Sequence, residues 1–313
     1  MLITGGTGFI GRHLISRLVS RGGRPTVAIR RETDERSLGP LRNDVRLQTA
    51  DLHCRDSLAR LFGETAPEIV IHLAGVRSAD AALCNEVNVL ATERVLRACV
   101  TAGVRRVVIL GSAEEYGHQS GPLHEDLPPR PETPYGASKA AATQLAQSMA
   151  ASEGCPVVIL RPFTVYGPGQ PETMFLSQAI RCALAHEPFR MTAGLQRRDF
   201  VLVDEVARAL EAAATAEGVA GEVINVGSGK AHRLRDVAEL VWRLSGTDAP
   251  LEIGARPAPE TELRDTWADI RKAKRLLDWE PRMDLEAGLR HTLATATGEG
   301  SASSWFPTPP SGG

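Results

Sequence analysis

The chain has 313 residues, a formal net charge of −2, and 42% hydrophobic against 24% charged residues. That length suits one large or two modest domains, and the near-neutral balance gives no electrostatic basis for binding nucleic acid or an anionic membrane. No apolar run reaches the length of a membrane span, no basic-then-apolar leader opens the chain, and the five scattered cysteines show no metal-like pairing, so a cytoplasmic protein with reduced thiols and no metal is expected.

The chain opens on Leu2-Ile-Thr-Gly-Gly-Thr-Gly-Phe-Ile-Gly11, a short β-prone run, three spaced glycines, then an apolar helical pattern at Ile10, Leu14, Ile15, Leu18 and Val19. A glycine-spaced turn between strand and helix is a place for a dinucleotide pyrophosphate. Gly5 takes the tight turn, Gly8 lets the backbone approach phosphate oxygens, and Gly11 lets the helix lie close. With Thr7, Phe9 and Ile10 these residues form the expected cradle at the positive helix end. Gly22-Gly23 ends the helix, and Pro25–Ile29 reads as the second strand.

An acidic residue after that strand would accept from a ribose 2′-hydroxyl. Here stand Arg30-Arg31, whose guanidinium groups suit a 2′-phosphate, so NADP is preferred and NAD remains possible; Glu32 and Asp34 just beyond weaken the preference. Val45–Ala50 is a third strand with Asp51-Leu52 at its end, placed to meet the adenine amino group and ring. A helix over Ser57–Phe62 precedes the buried strand Glu68–Gly75, where Leu73, Ala74 and Gly75 let a cofactor pass close to the backbone. His72 inside that run reads as a core histidine. A helix over 81–102 and a strand over 104–110 follow. Strands alternating with helices imply an α/β fold with a parallel, doubly wound sheet.

Ser112 falls just after the 104–110 strand, able to hydrogen-bond a substrate oxygen. Pro134-Tyr135-Gly-Ala-Ser-Lys139 then opens an alanine-rich helix. Tyr135 and Lys139 share one helical face. A nearby ammonium favours the phenolate and is expected to lower the tyrosine pKa, making it a usable acid or base near neutral pH.

In this order these motifs resemble the extended short-chain dehydrogenase/reductases, the nucleotide-sugar epimerase, dehydratase and reductase group. The resemblance runs from Thr4 to about Leu293 through Thr4–Gly11, Asp51-Leu52, Leu73–Gly75, Asn88, Ser112, Tyr135/Lys139 and Arg161-Pro-Phe-Thr-Val-Tyr-Gly-Pro168. It implies a Rossmann-type sheet with a smaller C-terminal substrate-binding α/β domain. It also implies that Ser112, Tyr135 and Lys139 are catalytic, that Lys139 holds the nicotinamide ribose, that backbone near Pro162 meets the carboxamide, and that Asn88 supports the cofactor site. Arg198 and Arg256 are implied as diphosphate contacts, with Arg264 competing for the second role. Where relatives often carry asparagine after Arg-Pro-Phe, this chain has Thr164, which alters a polar contact to substrate. Only Met1–Thr4 precede Gly5, so the central strand is short, which either loses apolar packing or marks a start placed too late.

The expected division is 1–166 for dinucleotide binding with 200–226 returning to it, 167–199 and 227–297 for substrate, and a disordered tail over 298–313. Glu114 occupies the base position of the dehydratase pattern, but Ala113 replaces the acid beside it. Arg30 and Ala113 favour a 4-ketoreductase of a nucleotide-4-keto-6-deoxyhexose with Tyr135 as proton donor. A 4-epimerase, a 4,6-dehydratase or, in a different class, a non-catalytic dinucleotide sensor are the alternatives. The alanine-rich helices, which the family pairs into a four-helix bundle, point to a homodimer.

Overall fold

A computed structural model describes residues 1–30, 35–257 and 265–298. In chain order the elements are β1 (Leu2–Thr4), α1 (Phe9–Ser20), β2 (Thr26–Ile29), β3 (Arg46–Thr49), α2 (Arg55–Thr65), β4 (Ile69–His72), α3 (Ala81–Cys84), α4 (Ala91–Thr101), β5 (Arg106–Leu110), β6 (Gly121–Leu123) and α5 (Pro134–Glu153). Then come β7 (Val157–Pro162), β8 (Thr164–Tyr166), α6 (Phe175–Leu184), β9 (Phe189–Met191), β10 (Arg197–Arg198), β11 (Phe200–Leu202), α7 (Val203–Thr215) and β12 (Val223–Val226). The chain continues through β13 (His232–Arg233), α8 (Leu234–Ser245), β14 (Leu251–Ile253), β15 (Asp265–Ala268), α9 (Arg271–Leu277) and α10 (Leu285–Ala296). A π-helical turn, Asn85–Leu90, joins α3 to α4.

Seven parallel strands form the main sheet in the order β12-β7-β5-β4-β1-β2-β3. Side chains alternate across it, as the pleat requires. Ile3, Ile71, Val108, Val158 and Ile224 share one core with Leu14 and Ile15 of α1 and Val206 and Leu210 of α7. Leu2, Val70, Val107, Val157 and Ile159 face the other way, onto Leu58 of α2, Leu96 of α4 and Ala146 of α5. The chain runs outward from β1 to β3, then returns to β4 on the other side of β1. Ligands of such sheets bind at that reversal, beyond the carboxyl ends of the strands.

The short central strand loses no packing. Leu2 and Ile3 are fully buried, and β1 pairs with β2 on one side and β4 on the other. Each such side chain is worth about 1.5–3 kcal/mol of burial.

Smaller sheets cover the carboxyl-end side of the chain's second half. One has the order β13-β10-β15-β6, and two further pairs are β8–β11 and β9–β14. A separate core holds α6, α8 and α10 together through Leu176, Ile180, Val237, Val241 and Leu289. Two segments depart from the expected division. β6 pairs with β15 in the second sheet although it lies within 1–166. Ala273, Leu277 and Trp279 pack into the core of the main sheet although they lie within 227–297. In both cases the apolar face available at that point in space overrides position along the chain. Arg31, Glu32, Asp34, Arg264 and the expected tail beyond Gly298 lie outside the described residues. Among the described residues no helix is long and apolar enough to cross a membrane.

Candidate active site

The opening turn is seated on the end of β4. Gly5 has φ +69°, and a Cβ there would lie 2.4 Å from the Ala74 nitrogen and 2.6 Å from the Leu73 carbonyl carbon. A Cβ on Gly11 would lie 2.5 Å from the Gly5 oxygen, so the first turn of α1 rests directly on the glycine loop. Gly8 is the N-cap of α1 and no side chain caps that end. The amides of Phe9, Ile10 and Gly11 have no acceptor within the helix, and they present the donors and dipole that an anionic phosphate needs. A side chain at Gly5 or Gly11 would therefore force the glycine turn away from the end of β4 or the start of α1.

Around that cradle, Arg30 is exposed directly after β2. Asp51 is exposed after β3, its carboxylate accepting from the His53 amide at 2.9 Å, while Leu52 packs partly into the sheet core. Gly75 leaves room for Lys139: a Cβ there would stand 3.4 Å from the ammonium.

The candidate catalytic residues come from one strand end and one helix start. Ser112 follows β5 and begins a tight turn over Ala113–Glu115; its hydroxyl accepts from the Glu114 amide at 3.2 Å. Helix α5 starts at Thr133, whose hydroxyl accepts from the Gly136 amide at 2.9 Å, with Pro134 in the first helical position, where its lost N–H costs nothing. The absence of a side chain at Gly136 lets this helix start lie against the Glu114 carbonyl, 2.7 Å from where a Cβ would stand. Lys139, one turn on, donates from Nζ to the Leu110 carbonyl at 2.9 Å, and lies 6.0 Å from the Tyr135 ring centroid. Ser112, Tyr135 and Lys139 are therefore gathered at the carboxyl end of β5, beside the glycine turn.

The electrostatics correct one expectation. The Tyr135 phenol is pushed up to about 12, first by burial and then by the Glu114 carboxylate, while the Ser112 hydroxyl and Arg77 pull it down. The Lys139 ammonium is pulled down to about 8 by burial, against the opposing effect of Glu115. Burial and the flanking carboxylates outweigh any lowering by the lysine one turn away and favour the neutral phenol.

Asn88, expected among the cofactor contacts, is buried in the π-helical turn. Its Oδ1 accepts from the Val76 amide at 2.8 Å, and its Nδ2 donates to the Val76 carbonyl at 2.8 Å and to Ser138 Oγ at 2.9 Å. Both N–H donors are consumed, so Asn88 fastens the loop after β4 to the catalytic helix. Glu114 likewise is engaged: Arg77 pairs with Oε1 at 2.9 Å and Thr133 donates to Oε2 at 3.0 Å. Arg77 also lies 5.6 Å from the Tyr135 ring centroid. It was not singled out in the sequence, where its only signal is a place on the loop after β4.

On the substrate side, Thr164 lies in β8 and its amide donates to the Asp199 carbonyl. Pro162 is buried at the end of β7, opposite Val226 of β12. Arg198 lies in β10, and Arg256 is exposed after β14 with its amide bound to the Met191 carbonyl. Asp199, the residue after Arg198, is fully buried. Its carboxylate accepts from the amides of Ser228, Gly229 and Ala268 and from the Ser228 hydroxyl, holding three segments together behind Arg198. His72 is a core histidine, its ring nitrogens bonded to Thr4 and Thr92.

A glycine turn on a doubly wound sheet, beside a Ser–Tyr–Lys cluster, defines a dinucleotide-dependent enzyme of the short-chain dehydrogenase/reductase type. More closely, the chain belongs to the NAD dependent epimerase/dehydratase family, whose model matches residues 1–227. Curated relatives include epimerases, reductases and dehydratases of nucleotide sugars. The UDP-glucuronate 4-epimerase of Thermodesulfobacterium geofontis is 30% identical, over 93% of this chain and 94% of its own. Among solved structures, the UDP-glucose 4-epimerase of Thermotoga maritima with UDP-glucose superposes with a TM-score of 0.88 at 26% identity, covering 95% of this chain and 98% of that one. MoeE5 in complex with UDP-glucuronic acid and NAD gives 0.84 at 35% identity, with the same coverage.

Proposed function

We propose that the protein is a 4-epimerase of a UDP-linked hexose or hexuronic acid that works with a firmly held NAD. The observation that carries this reading is the economy of the site: among the described residues, one phenol, one hydroxyl and one ammonium stand beside the dinucleotide cradle, with no free second acid–base pair. Ala113 is apolar and Glu114 is occupied by Arg77 and Thr133, which disfavours expulsion of water by a dehydratase. Four of the solved neighbours contain NAD with a UDP-sugar, which supports NAD and the UDP-linked substrate.

NAD, when bound, would supply an acceptor and donor of hydride. Tyr135 would take the proton of the sugar 4-hydroxyl and, once the keto sugar has turned its other face to the nicotinamide, return a proton to that same oxygen. Ser112 steadies the same oxygen by hydrogen bonding. Lys139 binds the ribose and keeps a positive charge near the phenol. Arg198 and Arg256 offer forked donors for the diphosphate. The outer face of α5, with exposed Ala137 and Ala141, supports pairing with a second copy.

The test is to extract the nucleotide from purified protein and to incubate the protein with UDP-glucose and UDP-glucuronic acid. Co-extracted NAD and formation of the 4-epimer from either sugar support the reading; empty protein that makes no epimer refutes it. A second reading, a 4-ketoreductase using NADPH, is favoured by exposed Arg30 after β2. It requires net consumption of NADPH with a 4-keto sugar nucleotide.

A further inference from the structure

Directly behind the catalytic serine lies a buried charge pair that the reaction scheme does not use. Glu115 is 0% exposed. Its Oε1 accepts from the Ser112 amide at 2.8 Å, and its Oε2 receives Arg161 through Nε at 2.9 Å and Nη2 at 2.7 Å. Arg161 comes from β7, two strands' depth into the sheet, and its guanidinium lies 4.7 Å from the Tyr116 ring centroid. Tyr116 in turn donates to Asn225 of β12 at 2.8 Å. The Glu115 carbonyl accepts from the Arg130 amide at 2.9 Å. The site is built tightly: a Cβ on Gly111 would come within 2.4 Å of Glu115 Oε1.

A buried ion pair is weak evidence for stability, since desolvation offsets much of the attraction. Its geometry here has a more specific consequence. The carboxylate ties the Ser112 backbone to the β7 strand, so the Ser112 hydroxyl cannot drift relative to α5, which carries Tyr135 and Lys139. We propose that Glu115, clamped by Arg161, is a positioning residue that fixes Ser112 and sets the charge around the Tyr135–Lys139 pair without touching substrate. It rests on the epimerase reading only for the choice of assay substrate. The charged groups that face Tyr135 are Glu114 and Arg77 from the neighbouring loops, with Glu115 beneath, and Lys139 from its own helix. Glu115 is the charged group that faces Lys139, with the Cys84 thiol and the His72 ring beside it.

The experiment compares NAD-loaded wild type, Glu115→Gln, and Glu115→Gln/Arg161→Met, the double variant guarding against misfolding from an unpaired buried guanidinium. Two quantities are read: kcat and KM on the UDP-sugar, and the phenolate absorbance of Tyr135, isolated by subtracting Tyr135→Phe in each background. A misplaced Ser112 lowers kcat about 10- to 100-fold with KM held within about twofold. Loss of the Glu115 charge, which raises the phenol, moves the Tyr135 titration to lower pH. Wild-type kcat and an unmoved titration in a folded variant overturn the proposal. So does a parallel fall of kcat, NAD affinity and melting temperature with the titration unmoved, which is the mark of a purely structural pair. If wild type turns over neither UDP-sugar, the substrate reading fails, and the titration alone decides for or against Glu115.

Discussion

Replacing Gly11 with alanine reverses the usual sign of a glycine substitution in a helix. Gly11 lies within α1, where alanine is ordinarily favoured by about 1 kcal/mol through its helix propensity. Here the added Cβ would stand 2.5 Å from the Gly5 oxygen, 2.6 Å from Gly6 Cα and 2.7 Å from the Gly6 oxygen. All three are backbone atoms, so no side chain can swing aside, and overpacking of this kind costs about 1–3 kcal/mol or more. The clash outweighs the propensity gain, leaving a net loss of about 2 kcal/mol. With an unfolding entropy of about 0.7 kcal/mol per kelvin for a chain of 313 residues, that lowers the melting temperature by about 3 °C. The helix start also retreats from the phosphate cradle, so NAD affinity falls about tenfold, the worth of one hydrogen bond. Gly22→Ala is the control. Gly22 has φ +80° with nothing within 4 Å of a new Cβ, so it loses about 1 kcal/mol through backbone strain and keeps its NAD affinity. Urea unfolding and calorimetric NAD titration of both variants decide the matter. A Gly11→Ala protein as stable as wild type, binding NAD as tightly, refutes the reasoning.

Other consequences are open to direct measurement. Tyr135→Phe abolishes turnover and leaves NAD affinity within about twofold, because the phenol oxygen serves the substrate proton; retained turnover removes Tyr135 from its role. Arg30→Ala weakens NADP far more than NAD if the guanidinium meets a 2′-phosphate; equal weakening of both removes the basis for the reductase reading. His72 is held neutral by burial and by Lys139, its pKa lowered from 6.5 to about 3. The unfolded chain therefore binds more protons in that window, so stability is full above pH 6.5 and falls as pH drops toward 3. The loss is about 2 kcal/mol between pH 6.5 and 5, and urea unfolding of wild type against His72→Gln shows it as a flatter slope in the variant.

What the sequence disclosed was whatever depends on local spacing. The turn from Thr4 to Gly11 declares itself because strand, glycines and helix follow without a break. Tyr135 and Lys139 declare themselves because four residues make one helical turn. The alternation of strands and helices was enough to infer the parallel sheet. What remained hidden depends on residues distant in the chain. Arg77 reaches Glu114 and Tyr135 only because β4 and β5 are neighbours in the sheet, and Glu115 meets Arg161 only because β5 and β7 are. Asp199 gathers Ser228, Gly229 and Ala268 across the second sheet, and no spacing announces that. The same cause bears on two further residues. Asn88 spends its amide on the Val76 backbone and Ser138, which only the folded loop brings close. The Tyr135 phenol answers to burial and to Glu114 more than to the lysine one turn away.

One phenol-assisted site is proposed to invert a sugar carbon and to give back the hydrogen it removed. The most direct measurement starts from the UDP-sugar deuterated at C4, incubated with the NAD-loaded protein in ordinary water and followed by proton NMR. The expected product has inverted configuration and keeps its deuterium at C4. Loss of the label to solvent, or no inverted product from either UDP-glucose or UDP-glucuronic acid, contradicts it.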